Sequence, residues 1–416
     1  MRLSKLTLVD FRGFEQLDLE FGREVTVLVG VNGAGKTSLL DAAALMLTWL
    51  TTGVSSGRPR GTSLMPGDVR VGGHGASVTL SAELGGQVAT WTVVTALPGH
   101  PRTQVNELKA LDAPIVAAQS SIAGGTPQLP LAVYFPTNRS ALDIPARIRT
   151  PHEFNAVSAY DGALEGGASN FRGFFEWFRE EEDLFNEQAV LSETPAAERS
   201  RLPRIRQAIE ALFPGSSELR VERRPQKMTL LYRGVRLDVA QLSDGEKCVL
   251  AMVGDLARRM VLASPGADDP LQQEAVVLID ELELHLHPGL QRTILPRLRE
   301  VFPNTQFVVS THSPQVLSSV HAESVRLLDG FEQRPLTRGT WRRDTNRILE
   351  AAFADPGRPP ETATKLNALR DAVDEGRNAE ARRLVGELRA MIEGEDPDVF
   401  FLEQLLPPED GVETHR

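Results

Sequence analysis

One cysteine in 416 residues leaves Cys248 without a partner for an internal disulfide and supplies too few thiolates for a zinc cluster. That scarcity points to a reducing compartment and away from redox chemistry. No apolar run approaches the roughly 20 residues that span a bilayer, and the opening MRLSKLTLVD has no apolar stretch of the signal-peptide kind. The expectation is a cytoplasmic protein with no membrane partner. Net positive charge is also missing, since 45 Lys and Arg against 56 Asp and Glu give a formal charge of −11. Nucleic-acid binding draws most of its affinity from cations meeting phosphates, so a globally acidic chain starts at a disadvantage there. Basic clusters do occur at Arg201, Arg204 and Arg206, at Arg220, Arg223, Arg224 and Lys227, and at Arg338, Arg342, Arg343 and Arg347. With carboxylates so abundant, each reads first as a solvated or ion-paired face. No internal repeat is long enough for a solenoid.

What is present is ordinary globular composition, 41% hydrophobic and 24% charged, in a length that suits one elaborated domain or two modest ones. Leu3, Leu6, Leu8 and Phe11 alternate with polar residues, and after Arg12-Gly13 so do Leu17, Leu19 and Phe21, which predicts a strand, a turn and a second strand. Val25–Val29 is nearly all apolar, the pattern of a buried parallel strand, and a helix carrying Leu39, Leu40, Ala43, Met46 and Leu47 should follow. Residues 52–75 read as a loop. The runs 76–84 and 87–95 flank Gly85-Gly86 and predict a hairpin; a helix is expected near 103–111 and a strand at 129–135.

From about 139 helical spacing takes over. Phe171, Phe174, Phe175, Phe178 and Phe185 form an aromatic stripe on a helix near 170–188, read as core packing rather than a base-stacking platform. A helix at 203–213 stops at Pro214-Gly215, and sheet returns at 219–221, 227–232 and 235–239. Then come a helix from 245 to 262, a strand at 275–279, a helix around 288–300, and strands at 305–310 and 324–328. The alternation predicts a mainly parallel α/β core with an antiparallel flank and an inserted helical lobe. Beyond about 345 two stripes, Leu366, Leu369, Ala372 and Val373, then Ala381, Leu384, Leu388 and Met391, predict a helical hairpin.

Four motifs carry chemistry. Gly30-Val-Asn-Gly-Ala-Gly-Lys-Thr37 matches G-x-x-x-x-G-K-[ST] between a buried strand and a helix. Its glycines let backbone N–H groups surround the α- and β-phosphates, with Lys36 reaching the β- and γ-phosphates and Thr37 ligating Mg²⁺. The phosphate-cradling set is Gly30, Asn32, Gly33, Gly35, Lys36, Thr37 and Ser38. Asp280 and Glu281 follow the apolar strand 276–279, where parallel sheets place ligand sites. Asp280 would hold Mg²⁺ through water and Glu281 would orient or deprotonate an attacking water. In Leu242-Ser-Asp-Gly-Glu-Lys247, Ser243 can cap a helix whose first N–H groups, near Gly245, face an anion. Ser310-Thr-His312-Ser-Pro314 ends another core strand and presents a histidine able to donate to a phosphate oxygen.

The order of these four elements resembles the ABC ATPase plan. That resemblance implies that Ser243, Gly245 and Glu246 belong to a signature motif completing the nucleotide site of the opposite subunit, hence a head-to-tail homodimer or higher oligomer around two ATP and their Mg²⁺. The segments "LVDFRGFEQLDLEF", "GVNGAGKTSLL", "DELELHLHPGLQ" and "STHSPQVL" resemble the soluble branch that includes the DNA-repair and overcoming-lysogenization-defect ATPases. "YFPTNRS", "FRGFFEWFREEEDLFNE" and "LVGELRAMIEGEDP" are similar to Septu and retron-associated ATPase subunits of bacterial defence operons. No clear Q-loop glutamine stands out: Asn138 is the candidate for that Mg²⁺-side position, with Gln119 as runner-up. Glu283, His285 and His287 raise a separate metal site, against which stands the resemblance, which makes that stretch a loop beside the dimer interface. The nuclease domain of the overcoming-lysogenization-defect relatives finds no counterpart after about residue 330, where Asp396 and Asp398 flank Pro397 in an expected turn.

The expected organisation is therefore an ABC-type P-loop head split over 1–138 and 216–344, a helical lobe at 139–215 and a helical C-terminal extension at 345–416. Two functions are carried forward. The first is an ATPase regulating a separately encoded nuclease or toxin effector in antiphage defence; the second is a DNA-repair or DNA-end-binding ATPase acting on nucleic acid directly. A transporter motor fits neither the lobe nor the tail.

Overall fold

The computed structural model describes residues 1–101, 104–138, 154–165, 171–191 (side chains to 187), 201–336, 359–392, 394 and 396–407. The chain divides into two compact units, Met1–Arg343 and Asp344–Arg416. The first is organised around a six-stranded sheet that includes β3 (Val25–Gly30), β6 (Leu131–Phe135), β10 (Ala275–Ile279), β11 (Thr305–Thr311), β12 (Val325–Asp329) and β13 (Glu332–Arg334). The strand order is β13-β12-β3-β11-β10-β6, parallel throughout except for β13. Every residue of β3, β6, β10 and β11 is buried. Strands covered on both faces are largely apolar: β10 reads as a continuous run and β3 as one interrupted at Thr26, whereas β11 also buries Gln306, Ser310 and Thr311, each of which finds a hydrogen-bond partner.

Helix α1 (Lys36–Ser56) leaves β3 directly through the glycine-rich turn and is mostly buried. Among the described residues it is the one helix long and apolar enough to cross a membrane, with 67% of its apolar window inside the fold. The antiparallel flank has the order β2-β1-β4-β5, formed by β1 (Arg2–Phe11), β2 (Phe14–Glu20), β4 (Gly75–Leu84) and β5 (Gln87–Ala96), and Gly85-Gly86 supply two positive-φ residues for the hairpin turn.

Three local expectations shift. Helix α1 runs on to Ser56 where a loop is expected from residue 52, because Gly53 gives Ile115 a place to pack: a Cβ there would lie 2.5 Å from Ile115 Cδ1. The helix expected near 103–111 forms at Asp112–Ala123 instead (α2), whose first turn tolerates Pro114 because its missing N–H would have no partner inside the helix. The helix expected over 288–300 is two pieces, a single turn at Pro288–Gln291 and α6 (Ile294–Val301).

The described part of the expected lobe comprises a short 3-10 turn at Ala156–Tyr160, α3 (Phe171–Leu191) and α4 (Leu202–Leu212). The aromatic stripe of α3 is core: Phe171, Phe174, Phe175 and Phe178 are at most 1% exposed, and Phe174 rests on Gly254 of α5 (Asp244–Ala263). A second antiparallel sheet, β7 (Ser216–Arg223), β8 (Gln226–Tyr232) and β9 (Val235–Asp238), leads into α5. Its basic residues are largely paired. Glu182 accepts from Arg206 and Arg223, Asp183 from Arg223, and Glu222 pairs with Lys227. The cluster at 338–347 lies outside the described residues.

The second unit has its own core. Leu366, Leu369 and Ala372 of α7 (Pro360–Asp374), Ala381, Leu384, Val385 and Leu388 of α8 (Asn378–Met391), and Val399 and Leu402 of α9 (Pro397–Gln404) are buried together. Asp396 and Asp398 are not in an open turn: Asp396 caps α9, accepting from the N–H groups of Asp398 at 3.0 Å and Val399 at 3.2 Å. An Asp before Pro at the first helical position is a start signal.

Candidate functional site

The register of the parallel sheet ends β3, β10 and β11 at the same edge, where their following loops meet. From β3 comes the phosphate loop. Gly33 and Gly35 hold φ values of 81° and 98°, and Gly35 cannot be replaced: a Cβ would lie 2.4 Å from the ring of Phe14. Val31, Asn32 and Gly33 are exposed, whereas Lys36 is 6% exposed. Its Nζ donates to the carbonyls of Gly30 at 2.9 Å and Val31 at 3.1 Å, spending two of its three N–H bonds on the loop itself. Burial lowers the Lys36 pKa, while Asp280, Glu281 and Glu283 act to keep it charged.

From β10 come the carboxylates. Thr37 Oγ1 donates to Asp280 Oδ2 at 2.8 Å, joining the two residues expected beside the metal. A hydroxyl and a carboxylate are the hard oxygen donors that Mg²⁺ takes, usually keeping several waters as well, so this pair fits the ion. Glu281 follows in a left-handed conformation, φ 47°, uncommon for a residue with a side chain.

From the end of β11 and the residue after it come four contacts that the motifs do not announce. Ser310 Oγ donates to Asp280 Oδ1 and accepts from the Glu281 N–H at 2.8 Å. Thr311 Oγ1 donates to Glu283 Oε2 at 2.7 Å, and the His312 N–H donates to Glu283 Oε1. Glu283 is thereby committed to the His312 turn. His287 accepts from the Gly289 N–H at 3.2 Å as a helix cap, and among the described residues no group of three ligating side chains is placed to hold a metal. The His312 pKa is lowered, by burial first and then by Lys36, against the pull of the neighbouring carboxylates.

On the flank, Asp41 of α1 accepts from Tyr134 Oη at 2.9 Å and from Arg12 Nη1 at 2.6 Å. Burial, with Asp41 and Asp280 nearby, raises the Tyr134 pKa and keeps its phenol protonated. Asn138 is exposed in the turn after β6. Gln119 donates to the carbonyl of Val54 at 3.1 Å. Val54 is at the far end of α1, about 27 Å along the helix from Lys36 at 1.5 Å per residue, which removes Gln119 from the metal-side position.

The signature segment is built elsewhere. Ser243 caps α5 in a reciprocal arrangement: its N–H and Oγ donate to Glu246 Oε2 at 2.9 and 2.7 Å, and its Oγ accepts from the Glu246 N–H at 3.4 Å. Burial raises the Glu246 pKa, but bonds from Ser243 and Tyr232 and the charge of Arg233 outweigh it and leave it lowered. Ser243 and Asp244 are exposed, while Gly245 is buried with room for no side chain: a Cβ would lie 2.3 Å from the carbonyl oxygen of His285.

Of the expected site residues, the structure brings Lys36, Thr37, Asp280, Glu281 and His312 to one edge, and sets Ser243, Gly245 and Glu246 on the other sheet-and-helix element. Sequence reasoning missed Ser310, Glu283, Tyr134 and Asp41 as partners. Ser310 and Glu283 had one signal, their places beside the motif residues.

A family described as "AAA domain" matches residues 5–211, and one described as "AAA domain, putative AbiEii toxin, Type IV TA system" matches residues 140–318. The chain is 29% identical to "Retron Ec83 probable ATPase" of Escherichia coli, covering 88% of this chain and 79% of that one. It is 27% identical to "Retron Vc95 probable ATPase" of Vibrio cholerae, covering 80% and 74%. A shorter stretch, 31% of this chain and 18% of the relative, is 29% identical to "Septu protein PtuA" of Bacillus mycoides. The chain is thus similar over most of its length to retron-associated probable ATPases and over a shorter stretch to a Septu protein.

Proposed function

We propose that this chain is an ABC-type, Mg²⁺-dependent ATP hydrolase that closes as a dimer around two nucleotides and thereby regulates a separately encoded effector in antiphage defence. The observation that carries the reading is the direct Thr37–Asp280 bond at the mouth of a phosphate loop, with Lys36 and Glu281 on the same edge. In this reading the loop N–H groups and Lys36 hold the β- and γ-phosphates, while Thr37 and Asp280, with Asn138 as candidate third group, hold Mg²⁺, which supplies charge neutralisation on the phosphate oxygens. Glu281 orients the attacking water and takes its proton, and His312 donates to a γ-phosphate oxygen. Ser243 and the first turn of α5, capped and exposed, serve the nucleotide of the neighbouring subunit.

The defence role rests on the retron and Septu names of the relatives. Regulation of an effector is favoured over direct action on DNA because, within the described basic clusters, Arg206, Arg223 and Lys227 are engaged by Glu182, Asp183 and Glu222. The test is Glu281→Gln with Mg·ATP, followed by light scattering and phosphate release. Retained binding, stalled release and accumulation of dimers are expected, with dimers lost again when Ser243→Arg is added. Normal turnover by Glu281→Gln, or a dimer indifferent to Ser243, would refute it.

A further inference from the structure

Strand β11 pairs with β10 as far as Val309 opposite Ile279, so its next residue, Ser310, stands level with Asp280 just past the last rung. Ser310 is fully buried. It makes three contacts with three consecutive residues of the neighbouring turn: its hydroxyl donates to Asp280 Oδ1 and accepts from the Glu281 N–H at 2.8 Å, and its carbonyl accepts from the Leu282 N–H at 3.0 Å. A hydroxyl has one proton to give, and here it goes to the Asp280 oxygen that Thr37 does not use, since Thr37 binds Oδ2. Both oxygens of Asp280 are therefore fixed, and the carboxylate cannot turn about its Cβ–Cγ bond without breaking a hydrogen bond. The same hydroxyl holds the N–H of Glu281 in the left-handed conformation that an ordinary side chain resists.

We propose that Ser310 is a positioning residue that sets Asp280 and Glu281 in register with each other, so that one buried hydroxyl aligns the metal-side carboxylate and the water-side carboxylate together. The inference rests on the nucleotide site described above and deepens it. Removing the hydroxyl leaves Asp280 Oδ1 and the Glu281 N–H short of a partner in a buried place, and frees both carboxylates to reorient. It takes nothing from Lys36 or the phosphate loop, which grip the nucleotide without the metal. The defect should appear in metal dependence and turnover and be absent from metal-free binding.

The experiment compares the wild-type chain with Ser310→Ala and Ser310→Cys, using Lys36→Ala as reference and thermal melting to verify folding. ATP affinity is measured in EDTA, and hydrolysis is followed over a Mg²⁺ titration. For Ser310→Ala the Mg²⁺ half-saturation point should rise and kcat should fall, each by about tenfold or more, the scale on which groups supporting metal ligands act. Affinity in EDTA should not change, and Ser310→Cys, which keeps a weak donor in the same place, should lie between. A Ser310→Ala chain with wild-type Mg²⁺ dependence and kcat overturns the proposal. So does a fall in EDTA affinity matching the fall in kcat, because Ser310 would then be supporting the whole loop. If wild type does not hydrolyse ATP, or Lys36→Ala hydrolyses it equally well, the nucleotide reading itself fails and this inference falls with it.

Discussion

Two groups of charged side chains in the first unit, one at the edge of the parallel sheet and one on α5, are built on opposite plans. At the edge of the parallel sheet Lys36 stands among Asp280, Glu281 and Glu283, one positive charge to three negative. On α5, Asp255 accepts from Arg258 at 2.7 Å and Arg259 at 2.8 Å, and Arg259 also donates to the carbonyl of Ala159 at 2.7 Å. There the balance is two positive to one negative, and every side chain is at most 2% exposed. Burial pushes the Asp255 carboxyl up, yet the two guanidiniums overcome it and hold its pKa below the ordinary value. The first group faces solvent at Thr37 and Glu281 and has an excess of oxygen donors, which suits the cation and phosphate of the proposed function. The second is sealed and joins α5 to the turn at Ala156–Tyr160. Burial of charge thus marks function only where one side is left open.

That contrast can be broken by substitution. The largest effect is expected at the sealed group: Asp255→Ala takes from two buried guanidiniums the carboxylate they share and should cost about 3–5 kcal/mol of stability, read by thermal or denaturant unfolding. The protein that remains folded should bind ATP as before, and a loss of binding without destabilisation would erase the distinction. Lys36→Ala should do the reverse, weakening ATP binding by about 100-fold, or about 2.7 kcal/mol, with melting in the absence of nucleotide unchanged. Calorimetric titration checks the first half and a melt the second. Chelating Mg²⁺ should stop hydrolysis while sparing metal-free ATP binding, and should leave the unfolding transition of the apo protein in place.

The smallest expected effect is on pH. Because burial and Lys36 lower the His312 pKa, the imidazole stays neutral until pH falls below that depressed value. Turnover that needs neutral His312 should hold level as pH drops to 6.5, the ordinary imidazole value, and decline only beneath it. A midpoint above that value in the pH profile of kcat would contradict the placement of His312 beside Lys36.

The parts of this molecule most legible in the sequence are those where one physical demand acts alone. Val25–Gly30 and Ala275–Ile279 are buried on both faces, so apolar residues fill them apart from Thr26, and the motifs follow directly after them. Where two demands compete, the sequence is ambiguous. Gly53 looks like a helix terminator but is kept inside α1 by the fit of Ile115, and Asp396-Pro397 looks like a turn but starts a helix. Ser310 and Glu283 were hidden for another reason. Their meaning comes from register between β10 and β11, which brings residues about 30 positions apart side by side, and no local pattern records a pairing of that range.

The meeting of Gly245 with the His285 carbonyl leaves no clearance for a methyl group. A joint that tight cannot slip: if the start of α5 is pushed or drawn aside, the chain four residues beyond Glu281 must travel with it. Whatever grips the outer face of the capped helix therefore also tugs on the turn that bears Glu281, a short mechanical linkage between two elements of the same chain.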